Sequence, residues 1–323
     1  MKLFKSSLIL SIALTLGLSN AMATQHHRKV RAALPPNNLH LMDNPSRVQN
    51  IDEKTFNAII DQAQAYFTPV FAKHNAKLTV VRRWNDSTVN AYAEQQGSNW
   101  LVTMFGGLAR RPEISADGFA LVICHEIGHH LGGYAFIDDD WASTEGNSDY
   151  FSTQACARAL WGRPSLANHY AIRYATRLEQ QACDAVWKDQ NSREVCYRSI
   201  NAGQSLANLL AAIGGEKQPH IETPDQTQVS STYTEHPAAQ CRLDTYVQGA
   251  LCAKPFDLNV IPGRGNSAGQ DSAAAETESM KYTCYTSQGF QLGFRPRCWF
   301  KPKIENPFHR QDSTEMTPVL SQN

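Results

Sequence analysis

The stretch Cys124-His125-Glu126-Ile127-Gly128-His129-His130 holds side chains whose types and spacing could do chemistry together. On a helix, His125 and His129 are four residues apart and lie one turn above each other on one face. Two imidazole nitrogens placed so reach one metal ion, and Glu126 stands where it can take a proton from water on that ion. A catalytic zinc site has three protein ligands and one open position, so a third ligand is due. Glu145 follows at a distance that allows a turn and an antiparallel return, and it is the expected third ligand. Asp149, four residues on, then accepts the ring N–H of a ligand histidine. The opposite assignment, Asp149 on the metal, stays open; that Glu145 is merely a favourable acid at a helix N-terminus is opposed by the missing third ligand. His130 points away from its neighbours and reads as structural or loop-facing. Cys124 projects roughly 100° around the helix from His125 and is not expected to bind the ion.

The elements that must position these residues are legible on both sides. Ile114 and Ser115 resemble the staple and cap of a helix start, with Asp117 in the first turn. Phe119 to Ile123 is an apolar run feeding into the motif, and Leu131-Gly132-Gly133 stops the helix. A loop with Asp138-Asp139-Asp140 follows; it reads as a solvated acidic turn, since its ligands lack the alternation of a calcium loop. Residues 144–160 form the helix that carries Glu145 and Asp149. Upstream, 54–77 reads as a helix with Phe56, Ile59, Ile60, Ala63 and Phe67 on one face. Short strands follow at 78–81, 88–93 and 100–105. The last of these, just before the motif helix, can rim a cleft and hold an extended peptide by its backbone. Downstream, 161–182 is helical, Asn191-Ser192 marks a turn, and short helices cover 204–212 and 238–246. The class is α+β, mainly helical with a small sheet before the motif helix.

Bulk properties bound the rest. The chain has 323 residues, 42% hydrophobic and 19% charged, ample for a core, and its formal net charge is zero. That balance suggests neither a nucleic-acid partner nor an anionic membrane surface. Residues 1–23 read as a signal peptide: Lys2 and Lys5, an apolar run from Leu8 to Leu18, then Ala21-Met22-Ala23, with cleavage after Ala23 or, second, after Ala21. No later stretch approaches a membrane span, so no stable membrane insertion is expected. Eight cysteines, all after the leader, imply disulfides and an exported chain, periplasmic or secreted. Short loops suggest Cys183–Cys196, Cys241–Cys252 and Cys284–Cys298, leaving Cys124 with Cys156. The division expected is a polar, extended lead-in over 24–53, a zincin-like catalytic domain over 54–261, a flexible linker over 262–279, a small disulfide-stapled segment over 280–303, and a disordered tail over 304–323.

Four blocks in this order resemble the gluzincin metallopeptidase family of the CAAX prenyl proteases and bacterial heat-shock membrane proteases, in its soluble exported branch. They are Asn90-Ala91-Tyr92-Ala93 with Leu101 to Leu108, the His125–His129 motif, Glu145 with Asp149, and His236-Pro237 with Arg242. The likeness spans about residues 54–250. The interval from His129 to Glu145 is shorter than in the membrane members, and the cysteine-rich extension has no counterpart. The resemblance implies a zincin-like fold, one Zn2+ per chain held by His125, His129 and Glu145, and Asp149 supporting a histidine. It implies a substrate strand of Trp100, Leu101, Val102, Thr103, Met104, Phe105 and Gly106. It makes His236 and Arg242 candidates to stabilise the tetrahedral intermediate; Arg242 is equally suited to clamp Asp149 or Glu145, and His236 to cap a helix.

The expected activity is an exported zinc endopeptidase acting on extended or unfolded protein segments, with Glu126 as general base. Three alternatives accompany it: a metal-binding chaperone or assembly factor on a protease fold, a latent protease whose segment after residue 262 covers the cleft, and a purely structural exported domain. Substrate preference and oligomeric state are open.

Overall fold

The computed structural model describes residues 30–44, 50–138, 140–285 and 288–304. The leader at 1–23 and the tail beyond 304 lie outside the described residues, as does Asp139.

Helix α1 (Glu53–Lys73) begins where the Asp52 side chain accepts the Thr55 N–H. It buries Phe56, Ile60, Ala63, Phe67 and Phe71, spaced at three to four residues, on one stripe. It ends four residues earlier than its pattern suggests, because Asn75 takes a positive φ and Lys77 already opens a strand. The sheet follows: β2 (Lys77–Arg83), β3 (Ala91–Gln96) and β4 (Asn99–Phe105), with a two-residue β1 (Arg31–Ala32) from the lead-in. Strand order is β1-β3-β4-β2, antiparallel except for the parallel β2–β4 pair.

This order corrects the expectation for 100–105. Every residue of β4 pairs with β2 on one side, and Asn99–Met104 pair with β3 on the other, so β4 is interior and offers no free edge to a peptide. Gly106 does not admit a substrate either. It opens the short helix α2 (Gly106–Ala109), and a Cβ there would lie 1.8 Å from the Trp84 carbonyl oxygen. The close approach it permits is internal.

Helix α3 (Ala116–Leu131) is capped by Ser115, whose Oγ accepts the Gly118 N–H. From Gly118 to Leu131 all its residues are buried, so it is the central element, packed against α1, α4, α8 and β3. After a loop, Thr144 caps α4 (Glu145–Phe151). One π turn, Ser152–Cys156, carries it on into α5 (Ala157–Trp161). Then come α6 (Leu166–Ala171), α7 (Arg177–Val186), α8 (Gln190–Gly214), α9 (Ala239–Ala250) and α10 (Ala273–Ser279). Helix α8 is far longer than the expected 204–212. Asp189 accepts the Ser192 N–H, so Asn191-Ser192 is its capped first turn rather than a loop. The result is a mixed α+β fold, mainly helical, with a small open sheet.

Four disulfides form: Cys124–Cys156, Cys183–Cys196, Cys241–Cys298 and Cys252–Cys284. The last two correct the pairings read from short loops. Cys241 and Cys252 sit at opposite ends of α9. The helix from Cys241 to Ala250 alone spans about 14 Å, with Cys252 two residues beyond it, whereas bridged Cα atoms here lie 5.5 to 5.9 Å apart. Residues 262–279 also differ from a flexible linker. Arg264 donates to the carbonyls of His130 and Trp141, Tyr134 donates its backbone N–H to Pro262, and Glu276 on α10 is fully buried, accepting from Tyr134 and Tyr285. Few apolar side chains are needed for this packing, because the segment docks through backbone and charge.

Candidate metal centre

Helices α3 and α4 meet at Gly128, where a Cβ would fall 2.9 Å from the Cα and carbonyl oxygen of Ser148. That contact lets the faces carrying His125, His129 and Glu145 converge. His125 Nε2 lies 3.1 Å from Glu145 Oε2, and His129 Nε2 lies 3.5 Å from Glu145 Oε1. The three ligand atoms fall within 4.8 Å of one another. Ligands at the usual zinc distances in a tetrahedron stand about 3.3 Å apart, so this spacing suits one ion.

Chemistry agrees with spacing. His125 Nε2, His129 Nε2, Glu145 Oε2 and both oxygens of Glu126 are buried and make no hydrogen bond. Buried polar atoms are otherwise satisfied, and a cation among them would answer this cluster. The opposite ring nitrogens are already engaged: His125 Nδ1 is 2.7 Å from Asp149 Oδ1, and His129 Nδ1 is 2.8 Å from the Ser143 carbonyl oxygen. Both acceptors fix the proton on Nδ1 in the neutral rings and leave the Nε2 lone pairs directed at the shared space.

Asp149 is fully buried and is the hub of this arrangement. Besides His125 it accepts Arg242 Nε at 2.6 Å, Arg242 Nη2 at 2.7 Å and the Tyr246 hydroxyl at 2.8 Å. Arg242 therefore clamps Asp149. Of the two placements weighed for Asp149, the geometry gives the one behind His125, with Glu145 in the metal-facing position. Tyr246 and Ser148, whose Oγ is 3.1 Å from His129 Nδ1, were not anticipated. Tyr246 follows Arg242 by one helical turn, a spacing that could have found it.

The charges are strongly coupled. Burial opposes protonation of His125, but Asp149 and Glu145 outweigh it and lift the pKa to about 9. Burial depresses His129 to about 4, with Glu145 acting against it. Burial would raise Glu145, yet the surrounding histidines hold its carboxyl well below the usual range. Burial pushes Glu126 up to about 8, with Glu145 adding to it and His125, Arg242 and the Ala33 backbone opposing. Burial also lowers His236.

His236, on the loop before α9, places Nε2 3.4 Å from Glu145 Oε2 and 2.8 Å from the Ala32 carbonyl oxygen. This loop is held by the C-terminal segment, which receives the Val229 and Tyr233 N–H groups on the carbonyls of Arg297 and Trp299. His130 is excluded from the centre. It stacks between Trp100 and Trp141, bonds the Leu101 carbonyl, and burial depresses its pKa to about 3. Asp225 lies near Cys241 and Cys298, but their sulfurs form a disulfide, which leaves no thiolate to bind an ion there.

Among the described residues no helix is long and apolar enough to cross a membrane, and four disulfides accord with an extracytoplasmic setting. A buried His125/His129/Glu145 cluster able to coordinate a metal ion thus forms the core of this chain, in keeping with a metal-dependent active site. Comparisons with protein-family models, with curated proteins and with solved structures find no match to this chain.

Proposed function

We propose that the chain is an exported zinc-dependent endopeptidase of gluzincin type, acting on extended or unfolded protein segments. One observation carries the reading. Glu126, which zinc binding alone does not require, follows His125 directly on the buried helix α3, and both its carboxylate oxygens are buried without a hydrogen-bond partner beside the cluster of His125, His129 and Glu145. When bound, the ion supplies Lewis acidity and a water of lowered pKa. Glu126, whose burial favours the protonated form over the carboxylate, is suited to accept a proton and return it to a departing amine. Asp149, held by Arg242 and Tyr246, keeps the His125 ring in one tautomer and orientation. His236 Nε2 stands where it can donate to a substrate carbonyl oxygen, since it already does so to Ala32. Arg242 is tied to Asp149 and acts as a positioning residue.

Prolonged incubation of the metal-loaded mature chain with casein, beside Glu126→Gln of equal metal content, tests this. Fragments are expected from the first alone. Fragments from both, or from neither even after the lead-in is cut free as described below, would remove the peptidase assignment.

A further inference from the structure

The reaction proposed above needs a peptide beside His125, Glu126 and His129, yet all three are fully buried and Glu145 is 3% exposed. Part of what lies over them is the chain's own lead-in. Arg31 and Ala32 pair antiparallel with Ala93 and Tyr92 on the outer edge of β3. The Ala33 N–H continues the ladder to the Ala91 carbonyl. The Asn90 side chain then completes it, accepting the Leu34 N–H at 3.1 Å and donating to the Leu34 carbonyl at 3.4 Å. Arg31 faces Asp140 at 3.6 Å.

A strand present only to finish a sheet would need no contact with the metal centre. This one makes two. The Ala32 carbonyl accepts from His236 Nε2, the same nitrogen that stands beside Glu145. The Ala33 carbonyl accepts from Arg242 Nη1 at 2.9 Å, on the same guanidinium that clamps Asp149. Two successive carbonyls of an extended segment are thus received by groups of the centre, while the segment's backbone runs along a sheet edge. That is the manner in which an extended peptide is bound by strand addition.

We infer that the outer edge of β3, with Asn90, His236 and Arg242, is the peptide-binding groove of this protein, and that Arg31–Leu34 fills it as an internal pseudosubstrate that keeps the chain latent. The groove accepts a small residue followed by leucine. Ala33 and Leu34 are 2% and 0% exposed, so a larger or charged side chain at either position has no room. The inference rests on the peptidase reading for its consequence, but the groove can be tested apart from catalysis.

The test inserts a site-specific protease sequence between Asn38 and Leu39, both exposed, in the full disulfide-bonded chain. Cutting frees the segment from its tether. Three readouts are taken on cut and uncut protein: casein hydrolysis, the unfolding transition as a control for integrity, and, in a Glu126→Gln background, polarisation of a labelled peptide of residues 30–38. The cut chain should hydrolyse casein at least tenfold faster than the uncut chain. Unlabelled peptide 30–38 should reverse the gain, and the same peptide with Ala33→Glu should not. Labelled peptide should bind the cut chain and not the uncut one. Leu34→Ala in the uncut chain, which loosens the anchor without removing the ladder, should raise hydrolysis severalfold. Measurable hydrolysis at equal rates by cut and uncut chains overturns the inference. So does equal binding of the peptide by both, or its failure to bind the cut chain. Peptide binding by the cut chain alone, with no hydrolysis by either, would uphold the groove and remove the peptidase reading.

Discussion

Asp149 joins the metal site to the body of the fold, and its replacement separates two effects that are otherwise entangled. It takes four hydrogen bonds, from His125, twice from Arg242 and from Tyr246, with no solvent exposure. Breaking a buried ion pair from one side leaves the partner charge unanswered and costs about 3–5 kcal/mol. Asp149→Asn and Arg242→Met should each destabilise the metal-free, disulfide-intact chain by that amount in urea unfolding. The double variant should lose clearly less than both singles together, with a coupling of about 2–3 kcal/mol. Metal affinity should behave differently. Removing the carboxylate behind a ligand histidine weakens binding about 10–100-fold, or about 1.4–2.7 kcal/mol. The double variant should recover none of this, because His125 Nδ1 still lacks its carboxylate. Competition with a chromophoric chelator measures it. Additive stability losses, or a metal affinity for Asp149→Asn within threefold of the parent, would refute the assignment of Asp149 as the shared support of ligand and fold.

Three further outcomes are expected. Gly128→Ala forces α3 away from Ser148 on α4 and should cost about 1–3 kcal/mol of stability together with at least tenfold in metal affinity by the same competition assay. Replacing Cys241 and Cys298 by serine opens a cross-link spanning 57 residues and should lower stability by about 4 kcal/mol in the chain-entropy view, read as a lowered urea midpoint. Burial pushes Asp244 up to about 7 against the pull of the Asp225 N–H and Gln240. A carboxyl raised in the fold is stabilising only while protonated, so its contribution is full below about pH 4, declines as pH rises to about 7, and is flat above. Relative to the parent, Asp244→Asn should therefore gain up to about 4 kcal/mol between pH 4 and 8, and a pH-independent difference in unfolding free energy would contradict it.

The parts of this arrangement that depend on local chemistry could be read from the sequence. Ser115 caps α3, Thr144 caps α4, and helical spacing alone aligns His125 with His129 and Glu145 with Asp149. What escaped is non-local. Whether a strand lies inside a sheet or at its edge depends on partners such as β2, more than twenty residues before β4 in sequence, and so β4 was misplaced at an edge. Loop-closure entropy rises only slowly with length, so near neighbours in sequence have little claim on each other as disulfide partners. The rigid span of α9 decided against Cys241–Cys252. The lead-in was read as polar and extended. Its Ala32 and Ala33 carry no side-chain signal, and they act through backbone carbonyls on His236 and Arg242.

The central claim is that His125, His129 and Glu145 hold one ion. Zinc K-edge absorption of the metal-loaded chain tests it most directly. The account predicts only nitrogen and oxygen neighbours at about 2.0–2.2 Å, with the outer-shell scattering of two imidazoles. A sulfur neighbour near 2.3 Å, or the loss of the two-imidazole signature, would contradict it.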